Sequence, residues 1–352
     1  MTDRAARTAG PPDDRPVALL LPGQGSQHVR MAAGLYGVEP VFTDAMDEAL
    51  AALAAPGPLG RRATGLREDW LNSRDSAVVD HVTRSQPLLF AVDYALGRLV
   101  LDWGVRPVAL LGHSIGEVAA AVLSGIFTLR DAAALVHDRV GRLADAPPGG
   151  MVAVAAAPEE LAPYLGGGVV VGAVNAVRQT VLAGLAAPLR ATTEELRAAG
   201  FVVRPVAAST AFHSPALAPA MEGSEDRIAA LPVGDPAIPV VSGYTARPLT
   251  AAEAKEPGFW SRQPVDPVLF WPALDLLLDG RDLVLVEAGP GQGLSQLARR
   301  HPAVRSGRSV TVPLLPSAPG PPEADLAAVR AAAERLRPGG LPSGRTAGPS
   351  GV

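Results

Sequence analysis

The sequence predicts an α/β protein in which a small ferredoxin-like subdomain is inserted into a larger one. Three observations carry this expectation. The apolar run Pro107-Val108-Ala109-Leu110-Leu111 leads into Gly112-His113-Ser114-Ile115-Gly116-Glu117 and then an alanine-rich helix, so a strand enters G-x-S-x-G and a helix leaves it. An earlier strand, Pro16 to Leu21, ends in the glycine-rich turn Pro22-Gly23-Gln24-Gly25-Ser26-Gln27. Between Met151 and Val206 the order β-α-β-β-α-β fills roughly sixty residues, the pattern of a ferredoxin-like unit.

After the first strand and its turn, helical segments are expected near Thr43–Leu53 and Pro87–Trp103. The strand before Ser114, a helix from Val118 to Leu123 and another from Leu129 to about Ala144 follow. Asp145-Ala146-Pro147-Pro148-Gly149-Gly150 reads as a boundary. Beyond it, strands are expected at Met151–Ala156, Val169–Val174, Thr180–Ala183 and Val202–Val206, with helices at Pro158–Leu165 and Ala187–Ala199. The chain then returns to the large subdomain and to the strand Leu283–Val286, which enters a second glycine turn, Gly289-Pro290-Gly291-Gln292-Gly293, and a helix. The expected division is 16–148 and 209–316 for the large subdomain and 149–208 for the insertion. Residues 317–352 form a C-terminal helix, Glu323–Leu336, and a Gly/Pro/Ser-rich tail expected to be disordered beyond Arg337.

Composition narrows the function. The chain has 352 residues, 48% apolar and 19% charged, which is globular and long enough for a sizeable core. A formal charge of −4 gives no reason to expect nucleic acid or a membrane surface as partner. The absence of cysteine removes a disulfide framework, a thiolate nucleophile and Cys-based metal sites. Met1 to Arg15 is polar and lacks the apolar stretch of a signal peptide, and no run approaches the ~18 apolar residues of a membrane span, so a cytoplasmic location is expected. Neither glycine turn completes a dinucleotide fingerprint, because His28 and Gln296 stand where the third glycine would be. His113 and Glu117 stand four apart without a third ligand, so no metal site is expected.

Taken alone, Gly112 to Gly116 reads equally as a nucleophile elbow and as an ordinary glycine-bounded turn. Four further segments lie in order along the chain: Leu-Pro-Gly-Gln-Gly-Ser-Gln at Leu21–Gln27, Ala-Phe-His-Ser at Ala211–Ser214, Phe-Trp, Arg-Gln and Pro-Val within Phe259–Phe270, and Glu-Ala-Gly-Pro-Gly at Glu287–Gly291. With the Gly-His-Ser-Ile-Gly-Glu segment they resemble the malonyl-CoA:acyl-carrier-protein transacylases and the acyltransferase domains of polyketide synthases, over residues 16 to 315. The resemblance implies an α/β-hydrolase-like large subdomain and a ping-pong reaction. In it Ser114 is the nucleophile and His213 its base, oriented by a backbone carbonyl that maps to Gln263 rather than by an aspartate.

The oxyanion hole would draw on the N–H of Ile115, next after the nucleophile, and on the Gln24 turn. Arg139, twenty-five residues beyond Ser114, maps to a carboxylate-binding arginine, whose guanidinium fork suits the free carboxylate of a malonyl group. Phe212 before the base and Ile115 after the nucleophile go with malonyl rather than methylmalonyl units, while Thr210 departs from the usual histidine. His113 beside the nucleophile and Asn175 map near the substrate. No bound cofactor is expected; malonyl-CoA is the donor, and the phosphopantetheine of an acyl carrier protein the acceptor. Exposed Arg178, Arg299 and Arg300 are candidates to dock that acidic partner. With no ketosynthase or carrier segment in the chain, a discrete enzyme acting in trans is expected. The alternatives are transfer of another acyl group between two carriers, or hydrolysis of acyl groups from carriers.

Overall fold

The structure, a computed structural model, describes residues 14–55 and 65–336. The polar N-terminus before Asp14 falls outside those residues, and so does the tail expected to be disordered beyond Arg337. The described residues hold nine strands: β1 (Val17–Leu21), β2 (Ala109–Gly112), β3 (Gly149–Val154), β4 (Val170–Ala176), β5 (Gln179–Leu185), β6 (Val203–Pro205), β7 (Val240–Val241), β8 (Val284–Glu287) and β9 (Val310–Pro313).

Five strands form a parallel sheet in the order β7-β2-β1-β8-β9. Every residue of β1, β2 and β8 is buried, which is why these strands read as unbroken apolar runs rather than as alternation. Alternate side chains of β1 enter different cores. Leu19 and Leu21 join the helices Pro40–Leu53, Val82–Asp102, Ile115–Leu123 and Leu129–Leu143 on one face. Ala18 and Leu20 pack on the other face with Phe270, Leu274 and Leu277 of the helix Phe270–Leu278.

The other four strands form an antiparallel sheet in the order β4-β5-β3-β6, the ferredoxin-like order, with the helix Ala186–Ala198 as one of its crossovers. An isolated bridge, Ala173 with Val268, ties β4 to the returning chain of the large subdomain. The expected helix Pro158–Leu165 is shorter, Pro158–Leu161 followed by a 3-10 turn Ala162–Tyr164.

Between the helices Pro40–Leu53 and Val82–Asp102, two helices were not expected, Leu66–Asn72 and Ser76–Asp80. They are too short for a period of 3.6 to show in the sequence. The helix expected from Pro87 starts at Val82 instead, behind His81, whose side chain accepts from the Thr83 N–H. Pro87 therefore lies inside the helix and leaves the Thr83 carbonyl without its usual i+4 donor. Arg84 Nη1 donates to that carbonyl at 3.3 Å.

The second glycine turn packs against the first. A Cβ at Gly289 would lie 2.2 Å from Pro22 Cγ, so the turn after β8 closes on the turn after β1. Glu287, at the end of β8, accepts from the N–H groups of Leu294 and Ser295 and so caps the helix Gly293–Ala298.

Close approach also sets the glycines around Ser114. A Cβ at Gly116 would lie 2.1 Å from the Leu21 carbonyl oxygen, and one at Gly112 2.2 Å from the Glu117 nitrogen. Both obstacles are backbone and cannot rotate away. Gly116→Ala must therefore push the elbow off β1, with an expected loss of about 1–3 kcal/mol, the usual range for overpacking. A thermal melt should show Tm lowered by a few degrees; an unchanged Tm would contradict the close approach.

Candidate active site

Ser114 stands between β2 and the helix Ile115–Leu123 with φ 56° and ψ −119°, a left-handed region that a side chain enters only under constraint. The constraint is local. His113 N–H donates to Leu21 O at 2.8 Å, and Glu117 N–H to Ser114 O at 2.9 Å. A Cβ at Gly23 would lie 2.2 Å from His113 O, so the turn after β1 is pressed onto the elbow.

His213 also has a positive φ, 61°, and comes from the segment following β6. Its Nε2 lies 2.8 Å from Ser114 Oγ. Its Nδ1 faces two carbonyl oxygens, Gln263 at 3.1 Å and Asp266 at 2.9 Å. Carbonyls only accept, so Nδ1 carries the proton and Nε2 is left to accept from the serine hydroxyl. The sequence pointed to Gln263 alone; the Asp266 carbonyl is the shorter contact. Burial first, then His113, and lastly Arg139, bring the His213 pKa down to about 3, outweighing the two carbonyls. The imidazole is neutral at neutral pH, as a general base requires.

Gln24 is fixed at both ends of its side chain. Nε2 donates to Ala207 O at 2.9 Å, and Oε1 accepts from Gln86 Nε2 at 2.9 Å. With the side chain held in this way, no hydrogen bond uses the Gln24 backbone N–H among the described residues. The Ile115 N–H begins a helix and has no partner within it. The turn that carries Gln24 lies beside the serine, since a Cβ on the preceding Gly23 would stand 3.0 Å from Ser114 Cβ.

Arg139 lies on the helix Leu129–Leu143 and is only 4% exposed. Its Nη2 donates to Trp260 O at 3.1 Å and to Gln263 Oε1 at 2.9 Å. A side chain of no consequence was expected at Gln263. Instead its amide anchors Arg139 while its carbonyl orients His213, so one residue holds both groups. Among the described residues no carboxylate forms an ion pair with Arg139. Burial lowers its pKa, but a guanidinium keeps its charge in a protein.

His113 Nε2 donates to Asn175 Oδ1 at 2.9 Å, joining the two subdomains beside the serine. Both residues line a cleft of about 480 Å³ with Gln24, the Pro290–Gly293 turn and Arg300. Phe212 does not line that cleft; it is buried, part of the core cluster that also holds Met151, Ala173 and Val268. Thr210 is buried as well. Glu117 does not turn toward His113. Its carboxyl accepts from Ser242 Oγ at 2.8 Å and from the Gly243 N–H at 2.7 Å, and burial raises its pKa to about 8.

Residues 19–312 match the acyl transferase domain family. The chain belongs to that family. It is 39% identical over 302 residues to a phenolphthiocerol/phthiocerol polyketide synthase of Mycobacterium tuberculosis, a match that covers 85% of this chain and 20% of that protein. The chain thus spans about a fifth of the length of that relative. Among solved structures, the acyl transferase domain of SpnD in complex with 2-(pent-4-yn-1-yl)malonyl superposes with a TM-score of 0.81 at 33% identity, covering 93% of this chain and 77% of that one. The malonyl CoA-acyl carrier protein transacylase of Coxiella burnetii gives a TM-score of 0.74 at 26% identity, covering 92% of this chain and 98% of that one. The chain is therefore an acyl transferase domain, with the two-subdomain α/β fold of these relatives.

Of the three arginines proposed for docking in this acyltransferase, only Arg300 lines the cleft, where it donates to Gln179 at 2.6 Å. Arg178 is paired with both oxygens of Glu160, at 2.7 and 3.1 Å. Arg299 Nε donates to Thr311 Oγ1. Among the described residues no helix is long and apolar enough to cross a membrane.

The lowered His213 pKa sets a pH dependence. A base whose pKa lies far below the usual value stays unprotonated as pH falls through the ordinary histidine range near ~6.5. The single-turnover acylation rate of Ser114 should hardly change across that range and fall only at more acid pH. A limb centred near ~6.5 would contradict the assignment of His213 as the buried neutral base.

Proposed function

We propose that this acyltransferase moves a malonyl group from malonyl-CoA, through an ester on Ser114, to the phosphopantetheine thiol of an acyl carrier protein in polyketide assembly. The observation that carries the acyl class is Arg139. A buried cation held by two neutral acceptors and no carboxylate is costly unless an anion completes it. A malonyl group on Ser114 brings that anion as its free carboxylate, which a guanidinium fork accepts through two parallel hydrogen bonds. The malonyl-type group in the SpnD domain supports the same class.

The steps follow from the hydrogen bonds. His213 Nε2 takes the Ser114 proton as Oγ attacks the thioester carbonyl. The Nδ1–H, held by the Gln263 and Asp266 carbonyls, fixes the ring and stabilises the imidazolium. The oxyanion falls to the N–H groups of Ile115 and Gln24. On collapse the C–S bond breaks, and His213 returns the proton to the CoA sulfur. In the second half, the carrier thiol gives its proton to His213 and attacks the malonyl-serine ester; the C–Oγ bond breaks as the C–S bond forms, and His213 returns the proton to Ser114 Oγ. Water must be kept from the intact ester between these halves, and a carboxylate pinned on Arg139 limits its approach. Phe212 narrows the space beside the α-carbon, which favours malonyl over methylmalonyl; a methyl group in an apolar pocket is worth about 1–3 kcal/mol.

Intact-protein mass spectrometry after competition among malonyl-CoA, methylmalonyl-CoA and acetyl-CoA should show one malonyl adduct, absent in Ser114→Ala. No adduct from any CoA ester on the folded protein would point to a carrier-bound donor. Arg139→Ala should cut malonyl-transfer kcat/KM about a hundredfold, the size of losing a buried charged partner. Full malonyl transfer in that variant would refute the role of Arg139.

A further inference from the structure

The hydroxyl of Tyr244 is inaccessible to solvent and has no hydrogen-bond partner. A hydroxyl left in that state is costly, and in native proteins it calls for an explanation. The ring itself is well held. It packs 6.0 Å from the His213 ring and edge-on to Phe259 at 6.5 Å. The backbone N–H of Tyr244 donates to Ser242 Oγ at 3.0 Å, and that hydroxyl donates to Glu117 on the elbow helix. The position of the ring is thus tied to the same helix that begins after Ser114.

The Ser114 side chain is near enough to act on this hydroxyl as a polar neighbour, though no hydrogen bond of ordinary geometry joins them, and the charge that acts on it most strongly is Arg139. Burial raises its pKa well above the usual tyrosine value, so it keeps its proton and serves only as a donor toward an anion. A donor without a hydrogen bond of ordinary geometry and a buried cation that no carboxylate pairs with, Glu117 and Asp138 acting on it only at longer range, therefore occur together beside the serine. The thioester carbonyl needs neither of them, since the Ile115 and Gln24 N–H groups are available to its oxygen.

We infer that Tyr244 is a further substrate-binding residue, whose O–H donates to the free carboxylate of the acyl group on Ser114 while Arg139 holds that carboxylate by its guanidinium. This rests on the proposal that Arg139 receives a carboxylate. Together the two groups make the acyl site selective for short acyl units that end in a carboxylate. The phenol adds direction, because it offers one donor at one point, where the guanidinium offers a plane.

Tyr244→Phe keeps the ring and removes only the oxygen. The readout is the ratio of single-turnover kcat/KM for malonyl-CoA over acetyl-CoA, a ratio that damage to the Ser114–His213 pair would not move. The expected result is a roughly tenfold fall in that ratio, the size of one hydrogen bond to a charged group. A fall in both rates that preserves the ratio, or no fall at all, would overturn the assignment of Tyr244. Arg139→Ala, measured alongside, separates the two proposals. If Arg139→Ala destroys the preference for malonyl and Tyr244→Phe does not, only Tyr244 is misassigned. If Arg139→Ala leaves the preference intact, the carboxylate site itself is refuted.

Discussion

Ser114 holds a backbone conformation that costs on the order of 1–3 kcal/mol for a non-glycine residue, and the turn around it exists because the neighbouring residues leave it no alternative. Gly112 and Gly116 admit the backbone of the following helix and of β1 at distances no side chain permits, and Gly23 brings the next turn down onto His113. The strain aims Oγ at His213, itself in a left-handed conformation, from a segment that follows the inserted subdomain. The contact between these two residues joins pieces of chain 99 residues apart.

A second constraint is electrostatic. Gln263 carries two duties through two different atoms: its carbonyl accepts from the base, and its side chain anchors the buried guanidinium. Arg139 and His113 both add to the burial that keeps His213 neutral. A carboxylate docked on Arg139 would offset the positive charge of that guanidinium, so the base would hold a proton more readily once the proposed acyl donor is in place. Substrate binding and base strength are then coupled through a single side chain, without any movement of the sheet.

The parallel strands β1, β2 and β8 and the four strands of the insertion were legible because buried apolar runs and glycine turns mark them locally. Ser114 was legible for the same reason, through the glycines that its turn requires. Helices Leu66–Asn72 and Ser76–Asp80 were not, since five to seven residues hold too little period. The start at Val82 was hidden because Pro87 suggested a boundary, while the compensation comes from the Arg84 side chain. Residues that act through the backbone or through distant contacts escaped altogether. The Asp266 carbonyl carries no side-chain signature, Gln86 buttresses Gln24 from 62 residues away, and Tyr244 meets the site only because β7 pairs with β2. His213, Arg139 and Gln263 were reached through family resemblance, and the link between the last two needed the fold.

The most direct test of the account is a crystal structure of the protein after reaction with malonyl-CoA and no acceptor. The prediction is an ester on Ser114 whose free carboxylate lies within hydrogen-bond distance of the Arg139 guanidinium, with Arg139 still anchored by Trp260 O and Gln263. An ester whose carboxylate points into the cleft, away from an unchanged Arg139, would contradict it.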